Sequence, residues 1–560
     1  MMTFSADPLV AEQEMHAIIF YLCAFGYVDG EMDHAEKGYI QQHIGKLVEH
    51  RAHDTLGADL ESYRDVVDRW TVHFHEVLDE VEEQIQAHFT ESVAQGESSR
   101  QFVLAKLKLR CFELFRRFDE HARGMLLATV DELMLADGSV HPNEEAFRKE
   151  LFALLREPVE LDEADLEPMA AGEVVVADAR PVEQHPADHP FFSSFEFDYA
   201  KDKATFARQS RADLEIVDRF LAKLDEQRAR GAGKLRGAAD FLAFAGAEPF
   251  LDGHVYVLPP KPGREYELLV LGDLHGCYSC LKAALMQSDF FAKVQAFRAD
   301  PERVPYMGLV LLGDYIDRGR FSYSGILRTV MQLFVTVPDH VHVLRGNHEY
   351  YVEINGKVLA PVRPSEAMSS LQGIASNEMF ATYMRLFEQL PNALVFDRIL
   401  FVHAGIPREE TMATKWRGLE SLNDPEIRFE MLWSDPSEAD AVPPALQRDN
   451  ARFPFGRVQF RHFIHKLGLT TLVRGHERVV EGFRKIYDDP DGMLLSLFSA
   501  GGATNDDLPL SSNYRRVTPM ALTVRHKDGV STLSPFAIDW ATYNDPRHNA
   551  FFRDSVALPE

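Results

Sequence analysis

Between residues 266 and 476 the chain five times writes a short aliphatic run and ends it in polar residues: "YELLVLGDLHG", "MGLVLLGDYIDRG", "HVHVLRGNHEY", "ALVFDRILFVHAG" and "TTLVRGHERV". Apolar runs of this length, bounded by turn residues, read as buried strands. Helix-like segments separate them, which gives an α/β pattern, and ligands in such folds gather at the carboxyl ends of the strands. A sixth unit, "LLSLFSAGGA", follows, and "PMALTVRHKDGVSTLSPF" beyond it reads as an antiparallel pair.

The second unit, from Leu309 to Gly319, crowds two aspartates and an arginine into one turn. A solvated turn uses a single Asp for its own backbone. Two carboxylates and a guanidinium behind a buried strand indicate a site instead. Together the five ends offer Asp273 and His275, Asp314, Asn347, His403 and His476. Carboxylate, amide oxygen and imidazole in one set suit borderline divalent transition metals such as manganese, iron or zinc. A carboxylate shared by two ions about 3.5–4 Å apart is a usual way to hold a pair that attacks phosphate. Asp314, in the middle of the set, is the expected bridge. Gly272, Gly313, Gly346 and Gly475 each precede a ligand and are expected to let the chain turn sharply there. Turn chemistry accounts for any one of these ends but not for the ordered set. His340, His342, His462 and His465 lack such a setting and read as solvated or packed. Cys277 and Cys280 form a lone CxxC and read as packing residues at a helix start.

A chain of 560 residues exceeds one core, so two or three domains are expected. Residues 1–156 have a helical pattern, with apolar residues recurring at three and four as in "VLAKLKLRCFELFRRF". They contain a weak repeat in which an apolar helix ends at Asp-Gly and an acid follows seven residues later, Asp29 with Glu36 and Asp137 with Glu144. The simplest reading is a repeated helical hairpin, with Gly in the turn and the acids capping the next helix. An acidic, proline-containing linker is expected over residues 157–200 and a helical lead-in over 201–250. The catalytic domain is then expected over 251–545 and a tail over 546–560. Residues 1–200 hold 41 Asp and Glu against 16 Lys and Arg, nearly all of the net charge of −28. A nucleic-acid partner needs a basic face, so none is expected for that third. No run approaches the roughly 18 apolar residues of a membrane span. No export signal is visible and four cysteines build no disulfide framework, so a cytoplasmic location is expected.

In order, "GDLHGC", "GDYIDRG", "RGNHE", "FVHAG", "LWSDP", "FPFG", "RGHE" and "LFSA" resemble the motifs of the PPP-type phosphoprotein phosphatases, within the calcineurin-like metallophosphoesterases. The resemblance covers roughly residues 266–530. It implies an α/β metallophosphoesterase sandwich, two mixed β-sheets flanked by helices, preceded here by a mostly α-helical N-terminal domain. It further implies two divalent metal ions, with manganese favoured and iron or zinc as alternatives. The first would be held by Asp273, His275 and Asp314, the second by Asp314, Asn347, His403 and His476. His348 would be the general acid, oriented by Asp317, and Arg318 would clamp the phosphate, helped by Asn347. The implied reaction is direct attack of a metal-bridging hydroxide on phosphorus, without a covalent phosphoenzyme.

Two departures bear on the substrate rim. "LQRDNARFPFG" offers both Arg448 and Arg452 as a second phosphate clamp, and Arg452 is favoured because it abuts "FPFG". Where the eukaryotic enzymes carry a tyrosine after "SAPN", this chain reads "SAGGAT", with Ala503 at that place. A fainter likeness links the N-terminal repeats to TerB-like helical domains. The expected activity is hydrolysis of phosphoserine and phosphothreonine in proteins, with phosphotyrosine open. The alternative is a diadenosine tetraphosphate hydrolase or other small-molecule phosphoesterase. The acidic domain is expected to bind a regulatory partner or to autoinhibit.

Overall fold

The computed structural model describes residues 4–56, 60–91, 93–94, 97–116, 118–136, 140–156, 173–182, 185–448, 450–489 and 492–553, and the chain divides into two units.

The first unit is helical. Its described residues form helices Pro8–Gly26, His34–Leu56, Leu60–His88, Ser99–Phe115, Glu120–Leu133 and Pro142–Arg156, and residues 442–450, with the short helix Pro444–Arg448, group with it. From Ala17 to Gly26 the first helix is buried on every side, which makes it the axis of the bundle. Tyr21 meets Phe115 edge-on at 4.4 Å, and Phe25 meets Phe147 at 5.0 Å. Short polar side chains cap the helix starts: Asp7 accepts from the Leu9 and Val10 amides, and Asp119 from that of Ala122. The acids of the repeat do the same work. Asp33 and Glu36 exchange side-chain-to-amide bonds at 2.8 Å, a reciprocal cap, and Glu144 accepts from the His141 amide at 2.7 Å. Gly30 supplies the left-handed turn at φ +111°. The Asp137–Gly138 turn of the second copy lies outside the described residues.

The second unit is a sandwich of two mixed sheets. The six-stranded sheet runs, edge to edge, Glu173–Val176, Val530–Ala537, Met520–Lys527, Tyr266–Leu271, Tyr306–Leu311 and Val341–Val343. Its last three strands are parallel, and the C-terminal hairpin joins them antiparallel. The seven-stranded sheet runs Phe483–Asp489, Gly492–Leu497, Thr471–Arg474, Ile399–Val402, Ala393–Phe396, Val255–Leu258 and Phe250–Asp252. Period-two alternation divides its side chains between two cores. Leu394, Phe396, Ile399 and Phe401 face the main core between the sheets. Ala393, Val395, Leu400 and Val402 face an outer core closed by Phe460, Phe463 and Ile464 of the helix Arg457–Lys466. Both faces are covered, so these strands read as unbroken aliphatic runs.

The expected domain borders differ from the structure at both ends of this unit. Residues 173–200 are built into the sandwich rather than linking to it. Glu173–Val176 pairs in parallel with Val530–Leu533. Further on, Glu196 and Asp188 meet the fully buried Lys282 ammonium at 2.5 and 2.9 Å. The helix Lys203–Gly231, in the expected lead-in, carries Asp213, which takes the buried Arg328 guanidinium in a fork at 2.8 and 2.9 Å. Phe551 and Phe552, in the expected tail, are buried, and Phe551 packs on Phe321 at 4.4 Å. These partners lie more than 80 residues apart in sequence, so no local pattern announces them. Cys277 and Cys280 are free and buried at the start of the helix Tyr278–Gln287.

Candidate metal centre

The parallel strands of the first sheet and those of the second deliver their carboxyl ends to one place. Asp273 and His275 follow Tyr266–Leu271, Asp314 follows Tyr306–Leu311, and Asn347 follows Val341–Val343. His403 follows Ile399–Val402, and His476 follows Thr471–Arg474. The loops are tightly wound. His275, Asp314, Asp317, Arg318 and His476 all hold positive φ, from +41° to +71°, a conformation that costs non-glycine residues energy and persists where the surroundings enforce it. Of the four glycines expected to turn the chain, only Gly313 uses a positive φ, +111°. Gly475 serves a different purpose: a Cβ there would stand 2.2 Å from Asp273 Oδ1. The requirement is close approach of two loops, not a turn.

Backbone amides aim the carboxylates. His476 N–H donates to Asp273 Oδ1 at 2.8 Å, and His348 N–H donates to Asp314 Oδ1 at 3.0 Å. Asp273 Oδ2, fully buried, is left with no donor. Glu349 accepts from the amides of Asp314, Tyr315 and Gly346 at 2.8 to 3.0 Å and locks two of the loops together.

Backbone carbonyls fix the imidazoles. His275 Nδ1 lies 2.8 Å from Ile316 O and His403 Nδ1 lies 3.1 Å from Leu312 O. A carbonyl only accepts, so each Nδ1 carries the proton and each Nε2 presents a lone pair. Burial holds both rings well below the ordinary histidine pKa, hence neutral. His275 Nε2 then faces Asp314 Oδ2 at 3.4 Å and Asp273 Oδ2 at 3.7 Å. His403 Nε2 lies 3.5 Å from Asp314 Oδ1 and 2.8 Å from Asn347 Oδ1, which is itself 3.1 Å from His476 Nδ1. Turned over, the Asn347 amide would donate to His403 and Asp314 instead. His275 has no such remedy. Lone pairs that converge on lone pairs call for cations. The carboxylates agree: burial, and for Asp314 the charge of Asp273 also, pushes both upward, Asp273 to about 7. A neutral imidazole tied by Nδ1–H to a carbonyl is the usual form of a metal-bound histidine, so the donor set fits divalent ions. In two groupings among the described residues the ligand atoms all lie within 4.8 Å of one another: Asp314 with His275 and His348, and Asp314 with His403 and His476. Asp314 is common to both.

Around this cluster stand the groups that would meet a phosphate. His348 Nδ1 is 2.6 Å from Asp317 Oδ2, and Asp317 Oδ1 accepts from the Ala367 amide at 2.8 Å. Burial and then the charges of Arg318 and Arg452 drive the His348 pKa down, while burial pushes Asp317 to about 7. Each partner is thus poised against carrying charge alone. Arg452 Nε donates to Asp435 Oδ2 at 2.6 Å, and Arg474 Nη2 donates to Asp435 Oδ1 at 2.9 Å. Arg318 Nη1 is 3.4 Å from Glu366 Oε1. Arg448 is exposed at the end of the short helix Pro444–Arg448, whereas Arg452 is buried beside the cluster. Sequence reasoning assigned no part to Glu349, Asp435 or Tyr514, whose ring lies 5.3 Å from that of His275. Glu349 and Asp435 sit inside the motifs "RGNHE" and "LWSDP", which was the available signal. Nothing local marks Tyr514.

Strand-end carboxylates and imidazoles thus gather around one shared aspartate on a two-sheet sandwich. Residues 266–479 match the calcineurin-like phosphoesterase family, and the chain carries a domain of that kind. Proteins to which it is similar over part of its length are named serine/threonine-protein phosphatases. Over 240 residues it is 31% identical to the serine/threonine-protein phosphatase BSL2 of Arabidopsis thaliana, covering 41% of this chain and 22% of that one. Over 288 residues it is 25% identical to the serine/threonine-protein phosphatase 4 catalytic subunit of Candida glabrata, covering 48% and 81%. The chain thus spans less than a quarter of BSL2. A Saccharomyces cerevisiae serine/threonine phosphatase structure with similarity to human phosphatase PP5 aligns at a TM-score of 0.39 and 17% identity, covering 59% of this chain and 90% of that one.

Proposed function

We propose that the protein is a phosphoprotein phosphatase acting on phosphoserine and phosphothreonine through two divalent ions, manganese in the first place. The observation that carries this reading is the buried convergence of unprotonated imidazoles and carboxylates on Asp314, with two guanidinium groups and an Asp-held histidine beside it. Asp273, His275 and Asp314 would hold one ion, and Asp314, Asn347, His403 and His476 the other. When bound, such ions supply an activated water and positive charge for the phosphoryl oxygens. Arg318 and Arg452 would grip those oxygens, Arg452 with its plane set by Asp435. His348, its Nδ1 fixed by Asp317, would deliver a proton from Nε2 to the leaving serine or threonine oxygen. Burial of the whole set keeps bulk water from competing for these contacts.

The helical unit, whose Asp-Gly repeats bear a faint likeness to TerB-like domains, is proposed to bind a regulatory partner of basic character, which suits its acidic composition, or to autoinhibit. The four free, buried cysteines accord with a reducing cytoplasm. Among the described residues no helix is long and apolar enough to cross a membrane.

The test is hydrolysis of a phosphothreonine peptide by metal-stripped protein, with and without added Mn²⁺, beside His348→Asn. Turnover is expected only with metal, falling on the order of 10²–10⁴-fold in the variant, the range for loss of a general acid. Turnover of diadenosine tetraphosphate in place of the peptide would move the assignment to small-molecule phosphoesters.

A further inference from the structure

Glu366 stands on the guanidinium that is expected to receive the substrate phosphate. Beyond the His348 loop the chain forms a hairpin, Val352–Ile354 with Lys357–Leu359, and then the short helix Glu366–Ser370. Ala367 and Met368 are buried in the main core and fix that helix in place. Its first residues meet the turn that carries Asp317 and Arg318. The Ala367 amide donates to Asp317 Oδ1 at 2.8 Å, and Arg318 Nη1 lies 3.4 Å from Glu366 Oε1. Asp317 holds His348, so the helix is pinned to the residues that flank the chemistry.

An acid in the first turn of a helix complements the helix dipole, and a half-exposed ion pair contributes little to stability. Neither fact explains the partner or the length of the contact. The ion pairs that build the sandwich are short and closed. Asp213 takes Arg328 at 2.8 and 2.9 Å, and Asp435 takes Arg452 and Arg474 at 2.6 and 2.9 Å, every one of these side chains being at most 5% exposed. The 3.4 Å contact of Arg318 exceeds the roughly 2.7–2.9 Å usual for a charged N–H···O pair, and its carboxylate is 45% exposed. Glu366 can thus turn out into water while the guanidinium, 14% exposed, remains in the site.

We propose that Glu366 is a resident competitor for the substrate phosphate: it occupies Arg318 in the free enzyme and gives way when a phosphoryl group enters. The inference rests on the phosphatase reading, in which Arg318 grips phosphoryl oxygens. A phosphate monoester carries about −1.5 to −2 charges and three acceptor oxygens against one charge and two oxygens for the carboxylate, so the phosphate wins the exchange. Its net gain is smaller than it would be on a guanidinium with no carboxylate to displace. Because Glu366 is tethered beside Arg318, it competes at high effective concentration. The exchange acts alike on substrate and on the phosphate product, so it weakens the binding of both and helps the product leave.

The probe is orthophosphate, titrated calorimetrically into the full-length, Mn²⁺-loaded protein. Glu366→Gln keeps the shape of the side chain and is expected to tighten phosphate roughly fivefold, the size of a partly exposed ion pair, with the melting temperature unchanged. The KM for a phosphothreonine peptide is expected to fall with it. Arg318→Ala is expected to weaken phosphate, and in that background Glu366→Gln is expected to lose most of its effect. Phosphate bound equally by wild type and Glu366→Gln, or more weakly by the variant, would overturn the proposal and leave the phosphatase reading standing. Tightening that persists undiminished beside Arg318→Ala would mean general repulsion rather than exchange and would overturn it as well. Should neither wild type nor Glu366→Gln bind orthophosphate or turn over the peptide, the phosphatase reading itself fails and the proposal with it.

Discussion

The helical unit and the phosphoesterase unit bury polar side chains in opposite measure. Through residue 156, Glu113 and Glu144 are the only charged or polar side chains buried among the described residues, and Glu144 caps a helix. The sandwich buries several tens, including four aspartates or glutamates and four histidines within a few ångströms of Asp314. A buried polar group costs free energy unless it is paired, so a fold keeps such groups where structure or chemistry demands them. The helical unit therefore holds itself together by apolar packing, and the sandwich gathers its buried polar groups around the candidate metal centre.

The contrast breaks first at the bridge. Asp314→Asn should cost activity roughly 10³-fold, since the charge stabilisation a metal centre supplies amounts to several kcal/mol. The metal-free variant should nevertheless melt no lower than metal-free wild type, because burial and Asp273 make the Asp314 charge unfavourable. A falling melting temperature in the metal-free variant would make Asp314 a structural residue instead.

Not every buried ion in the sandwich belongs to chemistry. Asp213→Ala strands Arg328, 1% exposed, and should destabilise the unit by about 3–5 kcal/mol in urea unfolding. Likewise a chain beginning at residue 201 loses the strand Glu173–Val176 and leaves Lys282 without Glu196, whereas one beginning at residue 161 keeps both. The shorter chain should fail to fold cooperatively and the longer one should turn over p-nitrophenyl phosphate. Equal behaviour of the two would show that the 173–200 strap is dispensable.

Smaller effects sharpen the contrast. Arg452→Ala should raise KM for a phosphopeptide more than it lowers kcat if the guanidinium grips substrate in the ground state, with Asp435→Asn showing a weaker form of the same split. In the helical unit, Asp119→Ala should cost about 1 kcal/mol of stability through its lost cap and leave turnover of a small phosphoester unchanged.

The strand ends and the candidate ligands they bring together were legible because each is announced within a few residues: aliphatic run, glycine, then a carboxylate, amide or imidazole. The α/β pattern followed from the same rhythm, whereas the two mixed sheets were what the resemblance to the metallophosphoesterases implied. What stayed hidden is non-local. The strand Glu173–Val176 sits in a proline-rich acidic stretch and gains its meaning from a partner over 350 residues away. Phe551 and Phe552 are ordinary near a terminus until Phe321 is seen beneath Phe551. His340 and His342 read as solvated or packed; both are buried, and the unpaired nitrogen of His342 emerges only once Tyr306 and Asp339 are placed around it. In the "LWSDP" motif the sequence placed Asp435, but its hold on Arg452 and Arg474 needed the fold.

The most direct test of the account is the metal content of the full-length protein after loading with Mn²⁺, measured by inductively coupled plasma mass spectrometry beside Asp314→Ala. Two ions per wild-type chain, falling to one or none when the shared carboxylate is removed, is the predicted result. Two ions retained by Asp314→Ala, or no tightly held metal in the wild type, would contradict a dinuclear centre built on that residue.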